Sequence, residues 1–125
     1  GPIPDGEEVA YTTTIFNTGG KTGRTVLTTT ISEGTNGGAL VLASYSIECP
    51  PEATCTVPSM TGKRIEVSLA HFPADKQAKV IHVLKASTQG IPFEDGEKWS
   101  SDFMITSTLS TGGRYRADVT ITMEY

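Results

Sequence analysis

The chain has 125 residues, 37% of them hydrophobic, and a formal net charge of −4. That length fits one domain with a real core. An acidic balance without a basic stripe argues against a nucleic-acid partner, which needs clustered Lys and Arg, and no apolar run approaches the roughly 20 residues that span a bilayer.

Residues 1–7, GPIPDGE, carry two prolines and two acidic groups and read as a lead-in or linker. Gly1-Pro2 has the form of a tag-cleavage remnant, so the lack of a visible signal peptide carries no weight. Residues 8–125 read as a single domain. Its organising stretch is EVAYTTTIFNTGG, Glu8 to Gly20. Side chains alternate along a strand, so Val9, Tyr11, Thr13 and Ile15 share one face, and Ala10, Thr12, Thr14 and Phe16 the other. Val9, Tyr11 and Ile15 make the first face the better candidate for a core. Asn17-Thr18-Gly19-Gly20 then breaks the pattern, because Asn and Gly tolerate turn geometry. The next strand starts near Arg24, so Asn17 to Gly23 is a loop of hairpin length or slightly longer.

Arg24 to Ser32 is a second strand, with Leu27 and Ile31 on the face of Thr25 and Thr29, and Val26 opposite. After the Glu33–Gly38 turn, Ala39 to Cys49 is a third. Its expected inner face is Val41, Ala43, Tyr45, Ile47 and Cys49, with Ser44, Ser46 and Glu48 outward. Cys55-Thr56-Val57 starts a short return strand, and Thr61-Gly62-Lys63 is a turn. Arg64 to Leu69 alternates, with Ile65, Val67 and Leu69 inward. Phe72 to Asp75 turns again. Lys76 to Ser87 is apolar on both faces, as a central strand would be, although period alone also allows a short helix. Thr88 to Ser100 is the longest irregular stretch. Asp102 to Ser110 is strand-like, Thr111-Gly112-Gly113 turns, and Arg114 to Tyr125 alternates as a long half-buried strand. Seven to nine strands at turn spacings of about 8–12 residues, with no amphipathic helix, predict an all-β antiparallel immunoglobulin-like sandwich.

Cys49 and Cys55 enclose a Pro-Pro loop. A hairpin there would bring the sulfurs within bonding reach, which implies an oxidising compartment; two free buried thiols are the other reading. Two thiols are too few for a structural zinc site, and the spacing is not that of a redox CxxC.

The segment from Gly6 to Ser32 resembles the start of the Asn-Thr-Gly repeat domains of large bacterial and archaeal surface proteins. Gly6, Val9, Tyr11, Thr12, Asn17, Thr18 and Gly19 match their opening strand, and Cys49, Cys55 and Val57 fit the outline further on. The resemblance covers about half the chain, and the end, Ile121 to Tyr125, departs from it. It implies an immunoglobulin-like sandwich used extracellularly as a structural or adhesive unit, partnered by neighbouring domains or other surface proteins, with no catalytic residues to carry over.

The chemistry visible in the residues is sparse. His71 and His82 have no ligand cluster beside them and read as structural. No Gly-x-Ser-x-Gly elbow or phosphate-cradling glycine motif is present, so no enzyme and no cofactor is expected. Glu94, Asp95, Glu97 and Asp102 form the densest acidic group. They read as a solvated loop or, secondarily, a calcium site, although the Asp-x-Asp-x-Asp-Gly order of calcium loops is missing. In the same loop Phe93 and Trp99 flank the acids. An exposed Trp99 with Phe93, Glu94, Asp95 and Glu97 would make a glycan-binding face; alternatively Trp99 plugs the end of the core. A third reading is an assembly subunit that exchanges a strand at an exposed edge.

Overall fold

The structure is a computed structural model. It describes residues 2–90, 99–112 and 117–124, with residues 111, 112 and 117–124 described by backbone alone. Within these residues it is all strand and turn: β1 (Ile3–Pro4), β2 (Glu8–Asn17), β3 (Arg24–Ile31), β4 (Ala39–Glu48), β5 (Thr54–Cys55), β6 (Ser59–Thr61), β7 (Arg64–Ala70), β8 (Gln77–Ser87), β9 (Ser100–Ser101), β10 (Ile105–Gly112) and β11 (Ala117–Glu124). The long strands form two antiparallel sheets packed face to face. One runs β11-β2-β8-β4; the other runs β10-β3-β7, with β5 and β6 both paired to the outer side of β7. This is the all-β antiparallel sandwich that the turn spacing predicts.

The connectivity is nested. β2 pairs with β11, β3 with β10 and β4 with β8, so the early half of the chain lies strand by strand against the late half. β2 and β3 therefore belong to different sheets, and residues 18–23 carry the chain across the sandwich instead of closing a hairpin. Among the described residues the tight hairpin is β6–β7. There Thr61 pairs with Arg64, and Gly62, at φ +61°, supplies the positive φ that a two-residue turn of this kind requires at its first position.

The core follows the alternation. Val9, Tyr11 and Ile15 on β2, Leu27 and Ile31 on β3, Ile65, Val67 and Leu69 on β7, and Ala78, Val80 and Leu84 on β8 are all buried. β8 lies between β2 and β4, which explains why both its faces are apolar. Its outward Ile81 and Val83 are half-buried between neighbouring strands. The lead-in is fastened to the sandwich. Ile3 pairs with Ser101, is 5% exposed and joins the core at that end. Phe72, expected in a turn, is fully buried and closes the other end. The late strand expected at Asp102 to Ser110 runs from Ile105 to Gly112.

The largest departure is in β4. The register slips between Leu42 and Ser44, leaving Ala43 as an extra residue. A bulge of one residue reverses which side chains face the core. Before it, Leu40 and Leu42 point inward and Val41 outward; after it, Tyr45 and Ile47 share the core-side face of His82 and Val80, which they oppose. The expected inner set Val41, Ala43, Tyr45, Ile47 and Cys49 therefore holds only beyond the bulge. Even there Tyr45 is 47% exposed, because β4 is the last strand of its sheet.

Candidate functional site

Three local arrangements use the residues that carry chemistry. The first is centred on Asn17, where β2 ends. Its side chain is fully buried. The amide Nδ2 donates to the carbonyls of Gly20 (2.9 Å), Phe72 (3.1 Å) and Pro73 (3.2 Å), while Oδ1 accepts from the Gly19 N–H (2.9 Å). The Asn17 backbone is also used in both directions: its N–H donates to Lys76 O, and its carbonyl accepts from Asp75 N–H. Asn17 thus binds the β2–β3 crossing to the β7–β8 turn, which satisfies main-chain groups that burial would otherwise leave orphaned.

The second is the end cap built around Trp99. The indole is 8% exposed, and its Nε1–H donates to Asn36 O at 3.2 Å. Gly38, at φ +75°, lies under the ring: a Cβ there would come within 2.5 Å of Trp99 Cζ2 and 2.6 Å of Ser87 O. Asn36 Nδ2 donates to Ser100 O and its N–H to Ser101 Oγ. The ring closes the core at this end and offers no exposed stacking face, so the glycan-binding face expected to include Trp99 loses that member. Phe93, Glu94, Asp95 and Glu97 lie outside the described residues. Asp102, the remaining acid of the group, is exposed, and its backbone pairs with Thr35. Among the described residues no group of three His, Cys, Asp or Glu side chains is placed to hold a metal ion.

The third arrangement is the side of the sandwich where β4 borders one sheet and β5 and β6 border the other. Cys49 and Cys55 are joined in a disulfide there, with Cα atoms 6.1 Å apart, inside the usual range for a bridge. The two residues do not close a β-hairpin. Cys49 follows β4 of the first sheet, and Cys55 lies in β5 of the second, so the bond clasps the two sheets together at their edges. Beside the clasp Tyr45 is 47% and Val57 61% exposed.

Behind Tyr45 a row of polar side chains crosses the core. His82 is flanked in register by Tyr11 on β2 and Tyr45 on β4. The Tyr11 hydroxyl shares a hydrogen bond with Ser107 Oγ (3.1 Å), which shares another with Thr29 Oγ1 (2.9 Å). Burial raises the Tyr11 phenol's pKa, partly offset by the Ser107 hydrogen bond. His82 is fully buried, and neither ring nitrogen has a hydrogen-bond partner among the described residues. Burial lowers its pKa to about 4, so the ring is neutral at pH 7 and structural. His71 is exposed, at φ +56°.

No family model, curated protein or solved structure matches this chain. Its function is therefore argued from the chain itself. Sequence reasoning found the disulfide pair and the two readings of Trp99. It missed the exposure of Tyr45, because the bulge at Ala43 and the edge position of β4 leave no mark in the alternation. Composition gave no signal either, since Ala39 to Ile47 carries none of the charge or proline that usually marks an edge strand.

Proposed function

We propose that the chain is a non-enzymatic, extracellular structural or adhesive module of a larger surface protein or filament. The observation that carries this reading is the Cys49–Cys55 clasp between the edges of the two sheets, since disulfides persist in oxidising compartments. The resemblance of the Gly6–Ser32 segment to surface-protein repeats agrees with it. Ile3 lies beside Ser101, and Glu124 is paired with Ala10, so β1 and the last residues of β11 lie at one end of the sandwich, and Phe72 and Asn17 close the other. A glycan-binding role would rest on residues 91–98, without the Trp99 ring.

The test is the oxidation state of Cys49 and Cys55 in the producing cells, read by alkylation before and after reduction. The proposal expects both cysteines to be alkylated only after reductant is added. Free thiols in the native protein would place the chain in a reducing compartment and overturn it.

A further inference from the structure

The sides of the sandwich expose the rims of its outermost strands, and a rim presents unpaired N–H and C=O groups. Natural edges are blunted by charge, by proline, by shortness or by a bulge. β4 is the longest of these edges, at ten residues, and is uncharged and proline-free from Ala39 to Ile47. Four consecutive residues, Ala43 to Ser46, are exposed, including the aromatic ring of Tyr45. Among the described residues, no backbone hydrogen bond beyond the β4–β8 ladder engages residues 40–48. The other edges are poorer templates. β5 and β6 have two and three residues, the outward positions of β10 are small hydroxyl residues, Thr106, Thr108 and Ser110, and β11, at the far edge of the same sheet as β4, has eight residues and carries two charges, Asp118 and Glu124.

We propose that β4 pairs with β4 of a second copy of this chain, antiparallel about a two-fold axis at Tyr45. The pattern of β4 is self-complementary in that register. Tyr45 meets its counterpart on the axis, on the core side of the joined sheet. Ser44 opposes Ser46 on the outer side. Ala43 stays unpaired as the bulged residue, as it already is against β8, and Leu42 then opposes Ile47, apolar against apolar. One step further Val41 opposes Glu48, the only charge on the strand, so the two glutamates fall at opposite ends of the ladder. A register without the bulge would set inward residues against outward ones beyond Tyr45. The two four-stranded sheets become one of eight, with paired aromatic rings at the closed seam, where Tyr is a favoured contact residue. A single strand pair is a small interface, so the dimer is a weak one. This inference is independent of the compartment, and its failure is distinguishable from a failure of the thiol test.

The experiment is sedimentation velocity on the full chain across about 1 μM to 1 mM, with amide exchange measured at both limits. The expected result is a concentration-dependent dimer with protection gained at residues 43–47. Tyr45→Lys and Tyr45→Glu place like charges on the axis, so each alone should weaken the dimer at least about tenfold, and an equimolar mixture should restore it. Circular dichroism checks that each variant is folded; the exchange map of the unaltered chain stands without them. A monomer at the highest concentration, a dimer protected instead at β10 or β11, or one indifferent to both charges would overturn the proposal.

Discussion

At the scale of single residues, the fold depends on a few polar and glycine positions that alternation cannot rank. Asn17 was legible as a turn residue, but its role in fixing a second turn 55 residues away was not, since nothing local encodes Phe72 and Pro73 as acceptors. Asn17→Ala should lower stability by about 2–4 kcal/mol, because it leaves buried carbonyls unpaired. Asn17→Asp should be no better, since a carboxylate would face three carbonyl oxygens; urea unfolding measures both. Gly38→Ala should also destabilise, by about 2 kcal/mol or more, through its positive φ and the collision with Trp99, read as a lower thermal midpoint.

His82 sets a pH dependence. The unfolded imidazole titrates near 6.5 and the folded one at about 4, so between these values the unfolded chain binds more protons. Its contribution to stability is complete above about pH 6.5, falls as pH drops toward 4, and is worth roughly 3 kcal/mol in all. The groups around it are uncharged: Tyr11 and Tyr45 flank it, and Ser107 and Thr29 reach the same row from the other sheet. Denaturation midpoints across this range should fall with acid, and His82→Leu should remove that slope between pH 6.5 and 5.

At the scale of elements, the strands themselves were the most legible part. Period two identified the inward residues of β2 and β7 and grouped those of β3 on one face, because each has strands on both sides and one face against the other sheet; on β8, apolar on both faces, it did not choose between them. β4 shows the limit of the method. An edge strand has half the neighbours, so its inward residues need not be buried, and one bulged residue reverses the parity beyond it. The disulfide belongs to this scale as well. The spacing of Cys49 and Cys55 gave the pair, but a hairpin was the wrong reason, since the bond joins two sheets. Its closed loop is short, so replacing both cysteines with serine should cost no more than about 2 kcal/mol. The sandwich should persist, seen as an unchanged far-ultraviolet spectrum with a lower melting temperature. Amide exchange should quicken first at β5, whose two residues otherwise hold only to β7.

At the scale of the whole molecule, the sequence pointed to a sandwich but not to the order of its strands. Alternation reports which face of a strand is buried, not which strand lies beside it, and a meander of consecutive hairpins would have shown the same periods. The nested order decides everything that bears on function here. It sets β4 and β5 on adjoining edges so that Cys49 and Cys55 can meet, and it leaves the β4 rim open. The most direct measurement of that order is a set of cross-strand nuclear Overhauser contacts between α-protons or amides in solution. The nested account predicts contacts between Ile15 and Val119, Leu27 and Leu109, and Leu42 and Leu84, and none between β2 and β3. A ladder of contacts joining β2 directly to β3 would show a simple meander and contradict it.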